Sequence, residues 1–246
     1  MKYSGNKKNS GFTLVETVIA MGIITIMITA FLASFGPAVQ GIRKSVSSKE
    51  ANRLASSLEL ELSVIRPDEA GAGGGDFSTA FEKAFTWIEE STETAVGNDN
   101  MVLIYQYRGD PNSVREDGTL EPVVTEEDDL PGTDYVVQSV VRRLGDDEVE
   151  EELQPRIVEG RVFYVRMTQL IFNTNGELEL SDQPGEIRGQ RPPNAASDFI
   201  TYPDAVIAMQ AEFYVMQSSL FPYIQNTFDP SSPGKPIFTR NMAVRR

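Results

Sequence analysis

The chain of 246 residues contains no cysteine and no histidine. Without cysteine there is no disulfide framework, no thiolate metal site and no cysteine nucleophile. Without histidine the sequence lacks the most frequent general base and the most frequent ligand of transition metals. Composition still allows catalysis by carboxylate, serine, lysine or tyrosine side chains. Because the commonest catalytic groups are missing, we predict that the protein is not an enzyme.

Basic residues are scarce as well. The sequence has 22 Lys and Arg against 36 Asp and Glu, which gives a net charge of −14. Residues 110 to 152 hold 15 acidic and 3 basic side chains, a local balance of −12. Phosphate backbones bind to basic surfaces, so this balance argues against nucleic acid as a partner.

The first 35 residues combine a basic leader with a long apolar segment. Three lysines precede the run Gly11-Phe12-Thr13-Leu14-Val15-Glu16, and no other charge follows before residue 36. A helix over residues 12–35 would be roughly 36 Å long, which is enough to span a hydrocarbon core of about 30 Å. The leader lysines predict that the N-terminus lies in the cytoplasm.

Glu16 is the exception within this apolar segment. A charge in a bilayer costs on the order of 2.5–3.5 kcal/mol at a central position, and less near the interface, so it needs a partner. If the chain is cut between Gly11 and Phe12, the new α-amino group of Phe12 becomes a cation. Glu16 of an adjacent subunit could then pair with it.

The basic leader, the Gly-Phe junction, the Thr-Leu-Val-Glu sequence and the apolar stretch together resemble the prepilin signal of type IV pilins and type II secretion pseudopilins. The resemblance covers residues 1–66. It implies that a prepilin peptidase cleaves after Gly11, that Phe12 becomes N-methylated, and that Glu16 is the assembly carboxylate. It also implies a single-pass protein of the cytoplasmic (inner) membrane, with its soluble domain outside, that joins other pilin-like subunits in a filament. The large soluble domain favours a minor component.

Two other interpretations stay open. A secretory signal peptide has an apolar core of 7–15 residues and a small-residue cleavage site after it, whereas this apolar stretch is longer and no Ala-x-Ala follows it. A single-pass signal anchor with an extracytoplasmic ligand-binding domain fits the length and the lysines, but it does not account for Glu16.

We predict an α+β fold in four parts: a leader at 1–11, a transmembrane helix segment at 12–35, an amphipathic continuation of the helix at 36–66, and a soluble α+β domain at 67–246. The helix should be continuous from 12 to 66, bent at Gly36-Pro37. Its amphipathic part carries an apolar stripe, made of Val39, Ile42, Val46, Leu54, Leu58, Leu62 and Ile65.

The soluble domain should begin with a Gly-rich linker at 70–76 and a second helix at 77–91. We expect Asp76 to cap this helix, with Trp87 at the margin of its apolar face, which is formed by Phe77, Phe81, Phe85 and Ile88. Runs rich in β-branched and aromatic residues then predict six strands, at 101–107, 134–144, 161–173, 177–180, 205–217 and 236–244. The sequence Thr174-Asn175-Gly176 predicts a hairpin turn. No helix of crossover length separates the strands, so the sheet should be mainly antiparallel, with the long helix packed on it.

Acidic clusters at 126–129, 146–148 and 150–152 supply the oxygen ligands that calcium prefers. Their spacing matches no EF-hand loop, and we favour solvated loops or an electrostatic surface for a partner as their explanation. We therefore assign no cofactor and keep calcium as a hypothesis.

Overall fold

The computed structural model describes residues 13–67, 69, 77–91, 95–181, 184–190 and 198–246. The predicted linker and the predicted cap Asp76 lie outside the described residues. The chain divides into two compact units, Met1–Val46 and Ser47–Arg246. We call them the N-terminal unit and the sheet unit.

Helix α1 runs from Leu14 to Glu61 and continues through Pro37, so the prediction of one long helix is confirmed. It ends five residues before the predicted Arg66. The Ser63 hydroxyl donates to the carbonyl oxygens of Glu59 (2.7 Å) and Leu60 (2.9 Å). These bonds satisfy carbonyl groups that the end of a helix leaves without partners.

The part of α1 in the N-terminal unit exposes its apolar side chains on every face. Helix α1 is the one helix in the described part of the chain that is long and apolar enough to cross a membrane. The exposed side chains include Leu14, Val15, Val18, Ile19, Met21, Ile23, Ile24, Ile26, Met27, Ile28, Phe31, Leu32 and Phe35. The exposure continues through Val39, Ile42 and Val46. Of the predicted apolar stripe, Leu54, Leu58 and Leu62 are therefore buried, whereas Ile65 is partly exposed.

The sheet unit contains three further helices and one seven-stranded sheet. The helices are α2 Ala80–Glu90, α3 Val149–Glu152 and α4 Phe221–Asn226. The strands are β1 Val102–Val114, β2 Leu120–Pro122, β3 Val136–Arg143, β4 Val158–Phe172, β5 Leu178–Leu180, β6 Val206–Val215 and β7 Phe238–Arg245. All six predicted strands are present. Strand β2 and the short helices α3 and α4 were not predicted.

Every strand pair is antiparallel, which confirms the α+β fold. Val102 of β1 pairs with Val165 of β4 on one side and with Arg143 of β3 on the other. Strand β4 then pairs with β6, and β6 pairs with β7. Strands β3 and β7 are therefore the two edges of the sheet. The short strands β2 and β5 extend the pairing of β1 and β4, and Gly176 takes a positive φ of 81° in the predicted hairpin turn.

The sheet buries both of its faces. One face packs against α1 and α2 in a core that includes Leu54, Leu58, Phe85, Ile104 and Phe163. The other face packs against α3 and α4, and its core includes Leu103, Tyr164, Val149, Leu153 and Ile224. The strands alternate between the two cores, since successive side chains of a strand point to opposite faces.

Helix α2 begins three residues later than predicted. Its N-cap is Thr79, whose side chain accepts a hydrogen bond from the backbone N–H of Glu82 at 3.1 Å. The prediction that Trp87 lies at the margin of the apolar face was wrong. Trp87 is buried in the core, beside the Nζ of Lys83. The Lys83 ammonium lies over the indole ring, which is a favourable cation–π arrangement.

Candidate functional site

Glu16 lies in the first turn of α1 and bonds to Thr13 through one oxygen of its carboxylate. Its Oε2 accepts hydrogen bonds from the Thr13 backbone N–H (2.8 Å) and from the Thr13 hydroxyl (2.8 Å). In return, Thr13 Oγ1 accepts from the backbone N–H of Glu16 at 3.3 Å. This reciprocal pattern is a capping box, with Thr13 as the N-cap and Glu16 at the third helical position. The carboxylate therefore helps to begin the helix.

Only one oxygen of Glu16 is used in this way. Within the described residues, no hydrogen bond to Oε1 is found. A carboxylate can accept several hydrogen bonds through its two oxygens, so the local cap leaves room for a donor from another molecule. Gly11 and Phe12, the other two predicted site residues, lie outside the described residues.

Two threonines farther along the apolar segment satisfy their hydroxyl groups within the helix. Thr25 Oγ1 donates to the Met21 carbonyl and Thr29 Oγ1 donates to the Thr25 carbonyl, both at 2.8 Å. Polar groups in a bilayer require internal partners. The side chains of Thr25 and Thr29 are therefore compatible with a hydrocarbon environment.

The sheet unit contains a buried cluster of charged side chains centred on Arg142. Its guanidinium contacts Asp117 at 2.6 Å and Glu152 at 2.8 Å. Glu152 also accepts from the Tyr105 hydroxyl (2.7 Å) and from Arg115 (2.9 Å). Arg142, Asp117 and Glu152 are almost completely buried. The cluster connects strand β3 with α3 and with the turn between β1 and β2.

A second buried group connects the C-terminal end of α1 with α2. Lys83 is fully buried and contacts the carboxylates of Glu61 and Glu69. Glu61 also accepts from Arg66 at 2.8 Å, and Arg66 lies 3.7 Å from Asp117. The two groups are thus continuous, and buried charges are paired throughout, as their desolvation requires.

The electrostatics of this network favour the protonation states that its hydrogen bonds need. Burial, together with the Glu152 carboxylate, raises the pKa of Tyr105 well above its ordinary value, so the hydroxyl stays a donor. Burial by itself would lower the pKa of Arg142, but hydrogen bonds and charge from Glu152 and Asp117 raise it. Asp146 differs, because burial raises the pKa of its carboxyl to about 6, despite the bond it accepts from the Arg143 N–H.

The predicted acidic clusters include both exposed and buried carboxylates. Glu126, Glu127 and Asp128 are exposed, as expected for solvated loops. Glu152 is buried, so the prediction of a solvated loop was wrong for this residue. Its burial is possible because Arg142 and Arg115 neutralise its charge. In the described part of the chain, no group of three or more Asp or Glu side chains is placed to hold a metal ion. The calcium hypothesis gains no support from this geometry.

Comparison with known protein families matches the N-terminal segment of the chain. A family model described as the prokaryotic N-terminal methylation motif matches residues 6–32. No curated protein and no solved structure shows significant similarity to the chain. The matched segment includes positions 11, 12 and 16 and much of the exposed apolar part of α1. The match supports the resemblance of the N-terminal segment to type IV prepilin-like proteins, and it covers residues 6–32 of the 246.

Proposed function

We propose that the protein is a structural subunit that a prepilin peptidase cleaves after Gly11 and methylates at Phe12, and that assembles through α1 with other pilin-like subunits. The filament would be a type II secretion pseudopilus or a type IV pilus, with this chain as a minor component. Before assembly the subunit would cross the cytoplasmic membrane once, with its N-terminus in the cytoplasm and the sheet unit outside. The methylation motif at residues 6–32 is the observation that carries this proposal.

The exposed apolar helix explains why such a subunit would assemble. Its apolar side chains are exposed within the N-terminal unit, and helices in a membrane associate by packing and by interhelical polar contacts. In the filament, the Phe12 amino group of one subunit would bind the carboxylate of Glu16 in its neighbour. The Oε1 atom of Glu16 is suitable for this contact, since Thr13 binds only Oε2.

The capping box also favours a second candidate, a signal-anchored membrane protein with an extracytoplasmic ligand-binding domain. In that protein Glu16 would serve only to begin the helix, so the charge no longer requires an assembly partner to explain it. The two candidates differ in what they require at position 16. Capping needs a hydrogen-bond acceptor, whereas pairing with an amino group needs a negative charge.

Two substitutions separate these roles. Glu16→Gln keeps the capping box, because glutamine serves equally at this position, but it removes the charge. Thr13→Ala keeps the charge and removes the cap, at a cost of about 0.5–2 kcal/mol in helix stability. We expect Glu16→Gln to insert into the membrane and to lose co-purification with co-expressed pilin-like subunits, while Thr13→Ala retains most of it.

The experiment measures capture of each full-length variant from detergent-solubilised membranes, with the processed N-terminus verified by mass spectrometry. Capture of Glu16→Gln at the wild-type level would show that the charge has no assembly role. Loss of capture in Thr13→Ala alone would assign Glu16 to helix capping and favour the signal anchor.

A further inference from the structure

Lys83 of α2 is fully buried, and two carboxylates contact the same atom of its side chain. Its Nζ lies 2.5 Å from Oε1 of Glu61 and 2.6 Å from Oε2 of Glu69. The centroid of the Trp87 ring lies 4.8 Å from Nζ on another side. Lysine is almost never fully buried unless it is paired, and a desolvated lysine that has lost its proton is a good nucleophile. The position therefore holds a reactive group between two carboxyl groups.

The two carboxyl groups differ in how Arg66 binds them. The Arg66 guanidinium donates to Oε2 of Glu61 at 2.8 Å, which is the oxygen that does not face Lys83. In Glu69, the Arg66 backbone N–H donates at 3.0 Å to Oε2, the same atom that contacts Lys83. A cationic donor on the far oxygen stabilises the negative charge that develops there when a nucleophile attacks the carboxyl carbon. Glu61 is thus arranged as an electrophile, and Glu69 is within hydrogen-bond reach for proton transfer.

From this arrangement we propose that Lys83 and Glu61 condense to form an intramolecular amide bond between α1 and α2, with Glu69 as the group that transfers the protons. Nζ forms a bond to the carboxyl carbon of Glu61, and the bond from that carbon to Oε1 breaks. Glu69 carries two protons in turn from Nζ to Oε1, which leaves as water, and Glu69 ends unchanged. An ammonium and a carboxylate become an amide and a water molecule, so no oxidant, reductant or other reactant is needed.

Burial favours the product and the surrounding fold favours the reaction. A neutral amide avoids the desolvation cost of two buried charges. The fold holds the nucleophile and the electrophile in contact, which replaces a bimolecular encounter. The side chains of Glu61 and Glu69 are 13% and 17% exposed, so the released water can reach solvent, while Lys83 and the new bond stay away from it. The bond requires neither cleavage at Gly11 nor Glu16, and thus goes beyond the proposed function.

The sequence allows a direct test with the full-length protein. The purified protein is unfolded and digested with trypsin together with a protease that cuts before Asp. The resulting fragments 54–67, 68–75 and 76–98 contain Glu61, Glu69 and Lys83, respectively. Trypsin also cuts after Lys83, but only where its amine is free. We expect mass spectrometry to find 54–67 joined to an uncut 76–98, with a mass one water molecule below that of the two fragments together.

Three variants test the assigned roles. Lys83→Arg keeps the positive charge but has a guanidinium that does not lose its proton, so the joined fragment should be absent. Glu69→Gln keeps the shape of the side chain and removes the proton carrier, so the yield at equal time should fall several-fold. Glu59→Gln is the matched control, because this carboxylate near the end of α1 binds Arg240 instead, and its yield should equal that of wild type. The Trp87 fluorescence melt of each variant shows that it is folded.

Fragments 54–67 and 76–83 of wild type at their unmodified masses would overturn the proposal and leave Lys83 as a buried ion pair. Fragment 68–75 joined to 76–98 would overturn the assignment of Glu61 as the electrophile. A wild-type yield in Glu69→Gln would overturn the proton-transfer role of Glu69. Absence of the amide bond, with processing at Gly11 and Glu16-dependent capture intact, would leave the proposed function unaffected.

Discussion

The two units differ in whether their apolar side chains are exposed or buried. In the N-terminal unit the apolar side chains of α1 are exposed, and polar groups such as Thr13, Glu16 and Thr25 bond only to neighbours in the same helix. In the sheet unit the apolar side chains fill two cores, and even buried charges such as Lys83 and Arg142 have partners distant in sequence. The sheet unit buries most of its large apolar side chains and pairs its buried charges internally, whereas the apolar surface of the helix is exposed. This difference is what a membrane-inserted subunit of a filament requires.

The largest effect should come from breaking the buried charge network. Arg142→Met leaves Asp117 and Glu152 buried without their main counter-charge, and such a loss destabilises by about 3–5 kcal/mol. The single tryptophan, Trp87, is buried in the core, so its fluorescence reports unfolding of the full-length chain in detergent. The control is Arg188→Met, which breaks an ion pair with Glu186 near the surface and should change stability by about 0–1 kcal/mol. Equal losses of stability for Arg142→Met and Arg188→Met would show that the buried cluster contributes no more to stability than an ion pair near the surface.

A pair of leucine truncations in the same helix compares the two units directly. Leu54→Ala, in the core of the sheet unit, should lower the unfolding free energy by about 2–5 kcal/mol because it leaves a cavity. Leu32→Ala, in the exposed part of α1, should change it by no more than about 0.5 kcal/mol. The free energy of unfolding of both variants is measured from the change in Trp87 fluorescence on unfolding. A comparable loss for Leu32→Ala would contradict its position outside the cores.

The smallest effect concerns Asp146 and depends on pH. The pKa of its carboxyl is raised from 3.8 to about 6 in the folded protein. The folded state therefore binds this proton more tightly than the unfolded state does. The resulting contribution to the free energy of unfolding is complete below the pKa of the unfolded chain and is lost as pH rises through about 6. Asp146→Asn imitates the protonated form and should be more stable than wild type at pH 8, by on the order of 1–3 kcal/mol. The difference should vanish below pH 4. Urea unfolding of wild type and variant at pH 8 and below pH 4 measures the difference in the free energy of unfolding. Asp147→Asn, at the exposed neighbouring residue, is the control. A difference for Asp146→Asn that is the same at both pH values would refute the raised pKa of Asp146.

Most of the secondary structure was predictable because its signals are local. The apolar stretch predicted α1, and β-branched and aromatic runs predicted six strands. The elements that were missed, β2, α3 and α4, contain three to six residues each, too few for a periodic pattern to identify. The capping box is present in the sequence as Thr13-x-x-Glu16, a local signal, and could have been predicted from it.

The buried network could not be predicted from sequence. Glu152 lies among five other acidic residues between 146 and 151, which is typical of a solvated loop. Two of its partners, the guanidinium of Arg115 and the hydroxyl of Tyr105, are 37 and 47 residues away, so only the fold brings them together. The same limit applies to the apolar stripe of α1, where Val46 and Leu54 share one pattern but only Leu54 is buried.

Processing at the N-terminus is the central claim of this account. The most direct measurement is mass spectrometry of the N-terminal peptide of the protein isolated from membranes of a cell that has a prepilin peptidase. The account predicts a mature chain that begins with N-methylated Phe12 and lacks residues 1–11, and it predicts that a bulky residue in place of Gly11 leaves the precursor uncut. A wild-type chain that retains Met1, or that is cleaved after the apolar stretch, would contradict it.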